Sequence, residues 1–504
     1  MKLKYTILGI CLLGLSSCFK DEGNYDYRKI NEIKVIGGME EEYSAYTMVD
    51  TLRIIPELSF TQDAEAKESY EYTWYLAGNG IGAGKLEKIS DKLNLEYLIT
   101  QPKGSYTLTL GVKDKATGVE WQTDAWLEVT TLFTNGWLML GEREGIVSLD
   151  MVSVTSVGDT TVVRDILKNS GLPELHGPRK MVSANKYITP TKPWASVCLL
   201  MTDDGTFELD KVNMTSDEST NIRHDIYDPM ASEDFAASDM IQNAGYYREM
   251  IGDNALYVTD ALMVSGDFGN PINKYDKYSD EFFKVWPEII YGFSSWGSYA
   301  GSQIVYDMDG KRFAKYTHSS ANCEALTDGE NEPWSWETGN DMVAIFNSQF
   351  LTSGAQTSYA VMKSPDGKFY LYSMTPSNTK KGKRYDISQL PDIAQADKFI
   401  FSSKYPYMLY AAGSKLYACE FLDSGITHKE FDGFGTDEIT MLYYDSYRQR
   451  GQDYFYVATY NDAQGGTVRK YQIADNPNDI VIEPLEGSRW DGLCKVASMC
   501  WKWY

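Results

Sequence analysis

Apolar and polar residues alternate along YEYTWYLA (70–77) and SYTLTLGVKDKATG (105–118), the period of a strand with one buried face. WLEVTT (126–131) continues the pattern as a last strand, and Lys113 to Gly118 read as a hairpin turn. Trp74 falls mid-strand, where a sandwich core needs a large filler. These elements predict a first folded unit over residues 30–131, most economically an immunoglobulin-like β-sandwich.

Beyond it the pattern repeats as an apolar run, a polar turn and a second strand. It appears in WLMLGEREGIVSLDMV (137–152), VCLLMTDDGTFELDKV (197–212), ALYVTDALMVSGD (255–267) and QIVYDMDGKRFAKYT (303–317). It returns in YAVMKSPDGKFYLYSM (359–374), YMLYAAGSKLYACEF (407–421) and YFYVATYNDAQGGTVRKYQI (454–473). Seven hairpins at a spacing of roughly 47–60 residues match the period of propeller blades. Several turns carry Asp-Gly or Gly, which supply the positive φ of a tight hairpin. Short apolar runs upstream, KMVSA (180–184), EIIYGF (288–293), DMVAIF (341–346), KFIFSS (398–403) and ITMLYY (439–444), read as innermost strands. The first hairpin has no such run before it. The C-terminal LCKVASMCWKWY (493–504) has the character to supply one, which would close the ring and protect its sheet edges. The predicted fold is therefore all-β, a sandwich followed by a seven-bladed β-propeller over residues 132–504.

The N-terminus follows neither pattern. Two lysines near the start precede a short apolar run, and LSSCFKDEGN (15–24) ends that run on a cysteine followed at once by charge. The run is too short for a bilayer span, which takes about 20 helical residues, and its flanks are those of a secretory signal. Ser16, Ser17 and Cys18 resemble a bacterial lipobox, so residues 1–17 are expected to be removed and the thiol of Cys18 lipidated. Residues 18–29 would then be the tether. Two or more acyl chains, at roughly 0.8 kcal/mol per buried methylene, anchor stably. Lys20, Asp21 and Glu22 resemble the charged export signal of Bacteroidota surface lipoproteins, which implies the outer face of the outer membrane.

The 504 residues allow two or three domains and a substantial core. Asp and Glu number 71 against 47 Lys and Arg, a net charge of −24 that repels phosphate backbones and excludes nucleic acid as a partner. Past Cys18 five cysteines remain, without metal-ligand spacing, and Cys198, Cys419 and Cys494 lie in apolar runs that suit buried free thiols.

The combination CFKDEGNYDYRKINEI, YTWYL, YTLTLGVKDKATGVE and GWLMLGEREGIVSLDMVS resembles the PKD-like family lipoproteins of the Bacteroidota. It spans the anchor, the first domain and the start of the repeats. The resemblance implies a surface lipoprotein that works beside a TonB-dependent transporter and its lipoprotein lid. It carries no catalytic motif, and so no catalytic residues.

Searches for chemistry in the sequence end on structural readings. GNGIGAGK (78–85) lacks the Ser or Thr a phosphate loop places after its lysine, and reads as a loop. The histidines, His176, His224, His318 and His428, are too scattered for a zinc site, and no Gly-x-Ser-x-Gly elbow is present. Asp307-Met308-Asp309-Gly310 opens like a calcium loop but lacks its closing glutamate, so it reads as a turn. No metal, cofactor or catalytic group is expected. What stands out is aromatic residues in polar or acidic segments between hairpins: Trp334 and Trp336, Tyr275 and Tyr278, and Tyr246, Tyr247 and Arg248. Connections between blades gather at one mouth of a propeller, so these residues are the candidate ligand-binding set, with aromatic faces for sugars or peptide side chains. The expected role is a non-catalytic accessory protein capturing glycan or peptide for uptake. The alternatives are a purely structural transporter subunit and, behind it, a surface hydrolase with its site at the propeller mouth.

Overall fold

In the computed structural model, residues 31–502 are described apart from 63–68, 79–85, 134, 155–159, 187–194, 243–247, 260–266, 293–301, 353–354, 403, 423–424, 445–452 and 475–478. Cys18, Tyr246, Tyr247 and most of the glycine-rich stretch lie outside these residues. The chain divides into two compact units. The first runs to Glu128, except that Tyr46–Asp50 and Leu98–Lys103 group with the second.

In the first unit a five-stranded sheet is ordered Glu42–Tyr46, Glu120–Thr130, Gly104–Asp114, Tyr70–Gly78, Glu87–Ser90. Ile33–Gly37 pairs with Glu57–Phe60, and Thr51–Ile54 with Leu95–Leu98. The period-2 pattern sends Trp74, Leu76, Leu108, Leu110, Val112, Ala125 and Leu127 into the core. Trp74 is fully buried, and its indole N–H is satisfied by the carbonyls of Lys92 (3.0 Å) and Leu93 (3.1 Å).

Among the described residues the second unit contains seven antiparallel sheets. Each is a blade, and seven apolar cores lie between successive blades, the last joining the seventh to the first. A blade packed on both faces explains middle strands such as Gly136–Arg143, where Gly136 to Gly141 are all buried instead of alternating. The innermost strand of the first blade comes from the chain's other end. Lys495–Lys502 pairs along Gly136–Arg143, with Trp137 opposite Trp501. Asp150, fully buried in that blade, fastens this closure. It accepts from Arg143 (2.7 Å) and from the backbone N–H of Asp165 (2.9 Å) and Cys494 (2.8 Å).

The innermost strands are Lys495–Lys502, Pro178–Lys186, Ala237–Gln242, Asp341–Thr352, Lys398–Phe401 and Glu438–Tyr444, with the fourth blade contributing residues 285–290. That fourth segment is not a continuous strand. Val285 bridges Asp307 and Ile290 bridges Ile304, but between them Pro287 has no N–H to give the ladder. The freed backbone groups turn to the third blade: the carbonyl of Pro287 accepts from Ser238 Oγ (2.9 Å), and Ile289 N–H donates to Asp239 Oδ2 (2.9 Å).

One predicted hairpin is displaced. The third is formed by Arg248–Gly252 and Ala255–Val258, so Ala255–Val258 is its second strand and not its first; residues 260–266 of the predicted span lie outside the described residues. Its turn is Asp253-Asn254, both at positive φ (50° and 61°), the conformation of a two-residue turn that Asp and Asn tolerate without glycine.

Candidate functional site on the channel wall

Innermost strands line the axis of a propeller, and three of them bring charged residues together here. Lys180 and Asp239 each stand third in their strands, Pro178–Lys186 and Ala237–Gln242. Both therefore lie at the mouth where chain arrives from the preceding blade. Lys180 Nζ donates to Asp239 Oδ1 at 2.6 Å. The other Asp239 oxygen holds Ile289 N–H, so the Pro287 interruption is what fixes this carboxylate. Glu288 sits in the interruption itself, and Tyr291 follows it. Asn347 of the fifth blade ties this segment down by accepting from Tyr291 N–H (3.0 Å) and donating to the Ile289 carbonyl (2.9 Å).

Asp239 is almost sealed, with 4% of its side chain exposed, whereas Lys180 keeps 37%. Burial works to lower the Lys180 pKa, but the Asp239 and Glu288 carboxylates outweigh it and hold the ammonium above its ordinary value. Burial raises the Glu288 carboxyl, opposed by Lys180 and aided by the like charge of Asp239. Tyr291 is pushed up to about 12 by burial, against the pull of Lys180. At neutral pH the wall therefore offers an ammonium donor, a phenol that keeps its proton and the Glu288 carboxyl, within reach of one another. That set can hold a hydroxyl-bearing or peptide ligand in a fixed orientation.

The mouth has its own charge. Turns between second and third strands fall at the same end as the start of the innermost strands, and Arg179 bonded to Asp203 at 2.7 Å shows the proximity. Asp203, Asp204, Asp253, Asp309, Asp366 and Asp462 are exposed in these turns. The Asp-Gly and Asp-Asn chemistry that shapes the hairpins thus also lines this end with carboxylates.

The described residues among those singled out from sequence are not brought together; Tyr246 and Tyr247 lie outside the described residues. Trp334 and Trp336 are 5% and 3% exposed, which corrects the expectation of a solvent-facing pair. They meet edge to face with centroids 4.7 Å apart, in the core between the fourth and fifth blades with Phe313, Met342 and Tyr372. The polar residues around them serve a buried cation. Lys381, its side chain 1% exposed, lies 5.5 and 5.2 Å from the two rings and bonds Asp328 (2.5 Å) and Glu332 (3.3 Å). Arg248 is likewise corrected from loop to strand. It is 2% exposed, paired with Glu208 (3.6 Å) and Asp225 (3.4 Å) over the Phe268 ring.

Tyr275 is half-buried; its hydroxyl donates to Asp307 (2.9 Å) and accepts from Arg312 (3.0 Å). Asp307 in turn accepts from Gly310 N–H (2.7 Å), so the calcium-like stretch is a hairpin turn. Tyr278 alone of the described candidates is open, at 82%. All five cysteines past the N-terminal segment are buried and free. Among the described residues no group of His, Cys, Asp and Glu is placed to hold a metal, and no helix is long and apolar enough to cross a membrane.

A PKD-like family model matches residues 18–174, which takes in the N-terminal domain and runs into the first blade. The protein is therefore an all-β chain with a PKD-like N-terminal domain and a propeller. No curated protein matches it. Among solved structures it is similar to a quinonprotein alcohol dehydrogenase-like protein from Bacteroides thetaiotaomicron, with 11% identity and TM-score 0.47, over 92% of this chain and 99% of that one. A putative 6-phosphogluconolactonase from Bacteroides uniformis is similar at 9% identity and TM-score 0.42, over 73% and 99% of the two chains. The WD40 domain of Toxoplasma gondii coronin follows at 10% identity and TM-score 0.34, over 71% and 82%.

Proposed function

We propose that this protein is a lipid-anchored, outward-facing component of an outer-membrane uptake system, capturing a short glycan or peptide at the channel wall without changing it chemically. The observation that carries the reading is the Lys180–Asp239–Glu288–Tyr291 cluster, drawn from three blades and left open at Lys180. Support for the anchor comes from the lipobox-like LSSC at residues 15–18. Support for the transporter and its lipoprotein lid as partners comes from the PKD-like resemblance.

The acidic turns argue against strongly anionic ligands, because the like charge of the mouth repels them at the distances over which exposed charges act. Neutral oligosaccharides and neutral or basic peptides fit.

Calorimetry of the soluble body (residues 19–504) with short neutral oligosaccharides and peptides tests the capture. Binding by wild type and its loss in Lys180→Met are the expected results. If no ligand of the panel binds while the protein still co-purifies with a transporter, the purely structural role takes its place. Incorporation of labelled palmitate, abolished by Cys18→Ala, tests the anchor separately.

A further inference from the structure

The fourth blade's inner segment carries an aromatic residue next to the polar cluster. Trp286 stands two residues before Glu288, on the mouth side of the Pro287 interruption. Its backbone N–H donates to the Tyr306 carbonyl (3.0 Å), and its indole N–H reaches Glu288 Oε2 (3.4 Å). The ring packs against the core between the fourth and fifth blades yet stays half-buried, whereas Trp334 and Trp336 of the same core are sealed. The Glu288 carboxyl also takes the Ile345 N–H, so its position is set before a ligand arrives. A carboxylate has room for about four hydrogen bonds, which leaves it capacity for a ligand hydroxyl.

The backbone of this segment, by contrast, is already engaged. Pro287 has no N–H, and its carbonyl accepts from Ser238 Oγ (2.9 Å). Ile289 N–H donates to Asp239 (2.9 Å), and the Ile289 carbonyl accepts from Asn347 Nδ2 (2.9 Å). Tyr291 N–H donates to Asn347 Oδ1 (3.0 Å), and the Tyr291 carbonyl accepts from Ser358 Oγ (3.2 Å). An extended peptide binds a strand edge through a row of such groups. Here side chains of the two neighbouring blades hold them instead.

We propose that the channel wall takes a neutral sugar and not a peptide, with Trp286 as the stacking residue that selects it. The inference rests on the capture role proposed above and narrows its ligand. A pyranose has a face of C–H groups for the indole and a rim of adjacent hydroxyls, each able to donate and to accept. One hydroxyl donates to Glu288 while its neighbour accepts from Lys180, whose ammonium has three N–H groups and gives one to Asp239. A peptide side chain would also stack on the ring, but its backbone would leave water without gaining a partner at this segment, which is costly.

Calorimetry of residues 19–504 with cellotriose, maltotriose, mannotriose and N-acetylchitotriose, set against N-acetylated, C-amidated tripeptides with a central Ala, Lys or Phe, tests it. Wild type is expected to bind at least one trisaccharide, and no capped peptide as tightly. Trp286→Ala should weaken the sugar by about tenfold or more, as loss of a central aromatic contact does. Trp286→Phe, which keeps a ring and guards against a folding defect, should retain most of the affinity. Sugar binding should also change the tryptophan fluorescence of wild type, and Trp286→Phe should bind with no such change. Equal sugar affinity in wild type and Trp286→Ala, capped peptides bound as tightly as any sugar, or a fluorescence change that persists in Trp286→Phe would overturn the assignment. If Lys180→Met still abolishes the binding in those cases, the capture role stands without it. No heat from any ligand with wild type would overturn both.

Discussion

Two lysines of the propeller sit among carboxylates and aromatic rings, yet they teach opposite lessons. Lys381 is sealed: Asp328 accepts its hydrogen bond and Glu332 pairs with its ammonium, Trp334 and Trp336 cover it, and the group locks the fourth blade to the fifth. Lys180 has a carboxylate partner just as close, in Asp239, but keeps over a third of its side chain accessible on the channel wall. Both are ion pairs inside a ring of blades, and only accessibility separates a fastening from a site. Trp334 and Trp336 mark the fastening, not the site.

Breaking the sealed region gives the largest effect. Trp334→Ala removes a nearly buried indole from the inter-blade core and the bond from its N–H to the Gly382 carbonyl (3.1 Å). A loss of about 3–5 kcal/mol is expected in denaturant melts, with any ligand affinity of the surviving folded fraction unchanged.

Next comes the pH response of the same region. Burial works to raise the Asp328 pKa, but bonds from Lys381, Ser335 and the Trp336 N–H outweigh it and bring the carboxyl down to about 2. A carboxyl held below its unfolded value stabilises the fold above that unfolded value, near pH 4, and loses the contribution as pH falls toward 2. The melting-temperature gap between wild type and Asp328→Asn should therefore be full at pH 5 and shrink toward pH 2. A gap independent of pH would separate Asp328 from the Lys381 charge.

The closing strand adds a slope of the same sign in a higher pH window. Burial lowers fully buried Lys502 to about 8, where its ammonium donates to the Phe133 carbonyl. The unfolded chain then binds more protons between about pH 8 and 10.5, so this residue makes stability rise with pH across that window. Lys502→Met should flatten the rise in melting temperature from pH 8 to 10.

The smallest structural effect is expected on the open side. Glu288→Gln removes a charge that burial already disfavours, and stability should change by no more than about 0.5 kcal/mol while binding falls.

Much of the fold could be read because propeller physics writes itself locally. Middle strands packed on both faces give unbroken apolar runs, and the turns at Asp203-Asp204, Gly367 and Gly413 carry residues suited to hairpins. The third hairpin was displaced because Asp253-Asn254 forms its turn without glycine at either position, while ALYVTDALMVSGD looks like two strands. The fourth innermost strand was recognisable in EIIYGF, but not its break at Pro287.

The site itself was hidden for a different reason. Lys180, Asp239 and Glu288 are separated by some 50 to 60 residues and meet only through ring geometry. Trp334 and Trp336 misled because Asp328 and Glu332 look like the signature of a wet loop, when they neutralise a buried lysine. A lysine opening an innermost strand, KMVSA, was the available signal, and strand periodicity alone gives no reason to weigh it.

The most direct test of the distinction between sealed and open lysines is calorimetry of the soluble body with the oligosaccharide and peptide panel, run on wild type and the Lys180→Met, Glu288→Gln double variant. The account predicts saturable heat for at least one ligand with wild type and none with the double variant, at unchanged fold. Equal affinity in both proteins, or no heat from wild type with any ligand, would contradict it.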